Sequence, residues 1–126
     1  LDLTVVLRSI LLRRGIDFVE EHNAFQMTMC SGLRKWRCLL AVNGSDIMCC
    51  AQFPWKAGSA TLQALNELNL GQSIGCFMVK DGRVVLRYSS EITDPLETEE
   101  LVVSLIRRCG SEVCRCWDRI YSAAEV

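Results

Sequence analysis

The stretch WRCLLAVNGSDIMCCAQF, residues 36–53, decides the fold. Trp36, Cys38, Leu40 and Val42 alternate along it, the period-2 spacing of a strand with one face toward a core. Asn43-Gly44 predicts a tight hairpin turn, because both central positions of such a turn favour positive φ. The chain then returns over 45–53 and is expected to leave the ladder at Pro54, which has no N–H to donate. An antiparallel pair is the frame for the rest.

Upstream, Phe25, Met27 and Met29 alternate with Gln26 and Thr28, so residues 24–30 read as a half-buried strand, joined by a Ser31-Gly32 turn. A short strand-like run at 16–20 precedes it, followed by the polar turn Glu21-His22-Asn23. Residues 3–14 change period: Leu3, Val6, Leu7, Ile10 and Leu11 form one helical stripe. Leu1, Val5 and Leu12 form a second, so this helix is expected to be buried on two sides. Gly15 ends it, with Arg13 and Arg14 suited to the last turn.

Downstream, Gly58-Ser59 opens a helix over 60–70, with Leu62, Leu65, Leu68 and Asn69 in or near one face, and Gly71 closes it. A second hairpin spans 74–80, Asp81-Gly82 and 83–90. Val84, Leu86 and Tyr88 share one side of its last strand; Arg83, Val85 and Arg87 share the other. Asp94-Pro95-Leu96-Glu97 combines a capping aspartate, a first-turn proline and a capping-box glutamate. The helix it starts runs to about residue 123, with Gly110 as a bend or break. The order is α-β-β-β(-β)-α-β-β-α: an α+β domain over 1–126, an antiparallel sheet with helices on one face.

The 126 residues are 50% apolar, with 14 Lys+Arg against 15 Asp+Glu. That content excludes intrinsic disorder, and the length fits one domain. The balanced charge, with pI 5.8, gives no footprint for nucleic acid or an anionic membrane. No apolar run reaches the roughly 18–20 residues of a membrane span.

Eight cysteines stand out. A disulfide framework suits loop-rich chains without a core, which this is not, and the opening residues show no signal-peptide pattern. Zinc sites want two close ligand pairs, but adjacent Cys49 and Cys50 point to opposite faces of a strand. Cys109 and Cys116 share a helical face with Val102, Leu105, Ile106, Val113 and Ile120. Core packing of reduced thiols, as in a cytoplasm, is therefore expected, with Cys114 the thiol facing outward.

Catalytic signals are weak. His22 sits in a polar turn, where exposure to solvent is its simplest role. Gly71-x-x-x-Gly75 leads into a strand and so is no phosphate loop. Glu97, Glu99 and Glu100 complement a helix dipole. No residue is a candidate for catalysis, cofactor binding or metal ligation, and no enzyme is expected.

Binding signals are two. Arg34, Lys35 and Arg37 flank Trp36, a pattern that contacts RNA or an acidic partner in other settings. On a strand, though, Trp36 points away from Lys35 and Arg37, giving one core face and one solvated face. Phe53-Pro54-Trp55 either anchors a partner, if exposed, or seals the core. Trp36, Arg37, Phe53 and Trp55 are thus the candidate partner-binding residues. Met27, Met29, Met48 and Met78 supply adaptable apolar surface or core filling.

Three stretches carry a family resemblance: Ala64-Leu65-Asn66-Glu67-Leu68-Asn69, Gly75-x-Phe77, and Gly82-Arg83-Val84-Val85-Leu86-Arg87-Tyr88, continued by Asp94-Pro95-Leu96. Together they resemble the YbjN family of bacterial proteins over residues 60–120. The resemblance implies the fold of type III secretion chaperones and a role as a candidate sensory-transduction regulator. Fold relatives of that kind are dimeric chaperones of extended effector segments. No catalytic residue comes with the resemblance; Asn66, Asn69, Gly75, Phe77 and Arg87 match its pattern as structural positions. Cysteine richness departs from it and leaves a metal- or redox-responsive regulator as the alternative. The expected protein is a cytoplasmic homodimer that binds a protein or peptide partner, with no nucleic acid and no membrane.

Overall fold

The computed structural model describes residues 2–72 and 74–125. Helix α1 (Leu3–Arg13) leads into β1 (Val19–Glu21), β2 (Ala24–Ser31), β3 (Arg34–Asn43) and β4 (Asp46–Lys56). Helix α2 (Thr61–Leu70) follows, then β5 (Cys76–Lys80), β6 (Arg83–Glu91), a 3-10 turn (Pro95–Glu97) and α3 (Thr98–Ala123). The six strands form one sheet in the order β1-β2-β3-β4-β6-β5, each neighbour antiparallel.

The hairpins show how local chemistry sets the register. Asn43 pairs with Asp46, so the two loop residues are Gly44 and Ser45, one position later than the sequence reading. Gly44 has φ 63° and Ser45 is not in the positive-φ region. That is the pattern of a turn with glycine at its first central position, which spares asparagine the strain. In the β5–β6 turn both Asp81 (φ 52°) and Gly82 (φ 77°) are left-handed.

Strand β4 does not stop at Pro54 but continues to Lys56. Its register with β6 shifts between Gln52 and Lys56, so the missing proline donor falls where the ladder is already interrupted. Arg83 donates from Nη1 to the Pro54 carbonyl at 2.6 Å, satisfying the acceptor.

One sheet face carries the core. Phe25, Leu40, Ile47, Phe53 and Leu86 are fully buried there, under Leu7 and Leu11 of α1 and Val102 and Val113 of α3. Helix α3 runs unbroken through Gly110. A Cβ at that position would lie 3.3 Å from Trp36 Cζ2, so the glycine admits the indole rather than bending the helix.

Two helical expectations change. On α2 the buried residues are Thr61, Ala64 and Leu65, while Leu62 is exposed. The helix is rotated because the Thr61 hydroxyl reaches the Ala123 carbonyl at 2.6 Å. On α1 the second apolar stripe is open: Val5 is 52% and Leu12 64% exposed, and Leu1 lies outside the described residues. Arg8 pairs with Glu20, and Arg13 and Arg14 both pair with Glu99, holding α1 at the sheet margin.

Candidate functional site: the open sheet face

All helical burial falls on one face of the sheet, and strand alternation places the remaining side chains on the other. The register arranges them in rows. Arg37 faces Gln52, Gln52 faces Val85, and Val85 faces Met78. The next row is Leu39, Cys50, Arg87 and Cys76, and the next Ala41, Met48 and Ser89. Lys35, Arg83 and Lys80 close one end; Asp46 and Glu91, directly opposite each other, close the other.

The centre of this face is apolar. Leu39, Ala41, Met48, Cys50 and Met78 are half-buried and Val85 is buried, with no helix among the described residues above them. They floor a groove of about 480 Å³ bordered by Arg37, Lys80 and Arg87. Those cations, with Lys35 and Arg83, make no ion pair among the described residues. Five arginines on the helical side behave differently. Arg8, Arg13, Arg14, Arg115 and Arg119 each meet a glutamate.

The four residues singled out from sequence separate. Trp36 is 7% exposed and Phe53 0%, both on the core face. Their rings lie 6.4 and 5.8 Å from that of Trp117 on α3. Trp55 is half-buried, 4.7 Å from Trp117 and 5.0 Å from the exposed Tyr121. The three aromatics therefore seal the sheet against α3, and Trp36 and Phe53 present no surface to a partner. Arg37 alone stands on the open face.

Met48 and Met78 were read from sequence as adaptable apolar surface or core filling; the residues that reading missed are Leu39, Ala41, Cys50 and Val85. Their signal was present: 38–42, 47–51 and 84–86 are continuous apolar runs, not strict alternations. Such runs mark strands apolar on both faces.

The cysteines divide by depth. Cys38 and Cys49 bring their sulfurs to 3.7 Å across β3 and β4 inside the core. The neighbouring thiols of Cys109 and Cys38, with burial, push the Cys49 thiol far up, so it stays protonated. Burial likewise raises Cys50 and takes Cys116, beside Glu112, to about 11. Thiols shifted upward are poor nucleophiles at neutral pH. Cys30 and Cys76 are the exposed pair, while Cys114, expected outermost, is half-buried by α3 packing. Among the described residues no group of three or more His, Cys, Asp or Glu is placed to hold a metal ion. His22 is exposed in its turn, at φ 56°.

With this geometry in place, one solved structure is informative. The chain is similar to YbjN from E. coli, a candidate transcription regulator, with a TM-score of 0.64 and 17% identity. The likeness covers 86% of this chain and 84% of that one. The fold is YbjN-like. It is an α+β fold of six antiparallel strands and three helices, as the family resemblance implied. In sequence the chain matches no known protein family and no curated protein. Among the described residues no helix of this YbjN-like fold is long and apolar enough to cross a membrane.

Proposed function

We propose that the protein is a non-enzymatic interaction domain, a chaperone-like or regulatory adaptor, that binds a protein or peptide partner on its open sheet face. One observation carries the reading: an apolar centre, Leu39 to Val85, lies on a sheet face that no layer of the described residues covers. Apolar surface gathered in one place and rimmed by charge is the physical mark of a binding surface. The YbjN-like fold, shared with a candidate transcription regulator, supports the regulatory reading. The free, largely internal thiols support a reducing, cytoplasmic setting.

A homodimer belongs to the same reading. The outward α1 stripe of Val5 and Leu12 is the surface we assign to it, since a two-fold contact buries one patch against its copy. Two measurements test the proposal. A photo-crosslinking residue at position 48 is expected to trap a partner in cells, and the same residue at position 107 on the helical side is not; equal trapping overturns the face. Light scattering is expected to give a dimer that Leu12→Asp dissociates; a strict monomer at high micromolar concentration overturns the self-association.

A further inference from the structure

The partner's chemistry is written in the charge layout of that face. Lys35, Lys80 and Arg83 lie at one end, Arg37 and Arg87 beside the apolar floor, and Asp46 and Glu91 at the far end. These five cations form no ion pair among the described residues, as Arg107 and Arg108 of α3 form none, whereas Arg8, Arg13, Arg14, Arg115 and Arg119 are each matched to a glutamate. An unmatched basic rim beside an apolar floor is complementary to carboxylates flanking apolar side chains.

We propose that the open face takes an acidic amphipathic helix of a partner protein, an inference that rests on the open-sheet reading above. Its apolar stripe lies over Leu39, Met48 and Val85, and its carboxylates meet Arg37, Arg87 and Lys80. The dimensions fit. The apolar rows span five residues of β3, about 13 Å at the rise of a strand, which two to three helical turns cover. The acidic end formed by Asp46 and Glu91 repels the partner's carboxylates and so fixes which way the helix lies.

Two alternatives are disfavoured on the same surface. Single-stranded nucleic acid needs exposed rings for base stacking, whereas the floor here is aliphatic and thioether, and Trp36 faces the core. An extended peptide adding to the β5 edge needs free backbone groups, but the Asn69 side chain already occupies both those of Phe77.

The experiment is a selection from a random peptide library displayed on phage, against the full chain. Recovered peptides are expected to carry Asp and Glu around a helical Leu, Ile or Phe stripe. Binding of these peptides, resynthesised with a fluorophore, is expected to weaken with added salt. It should fall about tenfold or more in the Arg37→Glu, Arg87→Glu double variant. Met48→Asp should abolish it; circular dichroism and the urea midpoint confirm that each variant is folded. Peptides without acidic bias that still depend on Met48 overturn the acidic partner while leaving the open-face reading standing. Peptides indifferent to Met48, Arg37 and Arg87 alike overturn both. Tighter binding of a fluorescent single-stranded oligonucleotide to Arg37 and Arg87 than of any acidic peptide also overturns the proposal.

Discussion

The Asn69 carboxamide meets both backbone polar groups of Phe77. Its Nδ2 donates to the Phe77 carbonyl at 2.9 Å, and its Oδ1 accepts from the Phe77 N–H at 2.7 Å. A side chain from the end of α2 thus stands where a seventh strand would pair, closing the β5 edge at the residue whose ring is buried in the core. Unpaired edges invite association with other chains, and this contact removes both backbone groups of Phe77, near the start of a short strand, from that risk.

Replacing Asn69 should therefore weaken both stability and edge protection. Asn69→Leu is expected to cost about 1–3 kcal/mol, the usual cost of leaving part-buried backbone groups without partners. Asn69→Asp should do no better, because a carboxylate accepts from the N–H but cannot donate to the carbonyl. Urea denaturation reads the loss, and hydrogen exchange should show faster exchange at Phe77. Unchanged exchange there would contradict the pairing.

Thr61 ties three segments together. Its Oγ1 accepts from the Gly58 N–H at 2.7 Å and donates to the Ala123 carbonyl at 2.6 Å, linking the end of β4, the start of α2 and the end of α3. The residue is 1% exposed, so water cannot replace either bond. Thr61→Val keeps the shape and removes both, and is expected to destabilise by about 1–3 kcal/mol in chemical denaturation. Thr61→Ser should retain most of the stability; equal losses in both variants would shift the cause to packing of the methyl group.

What the sequence made legible follows from how far each signal reaches. Strands β2, β3, β4 and β6 announced themselves through alternation and turn residues a few positions away. The start of α3 did so through Asp94, whose Oδ1 accepts from the Leu96 N–H at 3.0 Å. Other features depend on partners far along the chain. Phe53 and Trp55 are sealing residues only because Trp117 and Tyr121 come to lie over them. Gly110 makes room for Trp36, and Pro54 is tolerated within β4 because Arg83 and a register shift meet it there. Alternation also assigns Leu39 and Met48 to the second face without saying whether another layer covers it. That is why the open groove became visible only in three dimensions.

Glu112 gives the fold a specific acid sensitivity. Hydrogen bonds from Arg115 hold its pKa down to about 2 against the opposing effect of burial, aided by Cys116 and by Gln72 Nε2 at 2.7 Å. A carboxylate with a depressed folded-state pKa stabilises fully above its unfolded value. That contribution is lost as pH falls, here from about 4.5 toward about 2. Glu112→Gln should therefore be less stable than the parent at neutral pH, with the gap narrowing through that window. Thermal melts of both proteins across the window test it; a gap independent of pH would show that the charge of Glu112 does not contribute.

Thiol reactivity should report depth strand by strand. Cys30 and Cys76 are exposed, Cys50 and Cys114 half-buried, and Cys38, Cys49, Cys109 and Cys116 buried. Alkylation requires both access and a thiolate, and the four buried groups lack access while Cys49 and Cys116 are also pushed up. Timed iodoacetamide labelling with peptide mass mapping should modify Cys30 and Cys76 first, then Cys50 and Cys114. The remaining four should react only in denaturant, bringing the total to eight thiols. Because Cys50 lies on the groove floor beside Arg87, an acidic peptide seated there should slow its labelling and leave Cys30 unaffected. Early labelling of Cys38 or Cys49 in the native protein would mean that the β3–β4 pair opens, which the continuous ladder between them argues against.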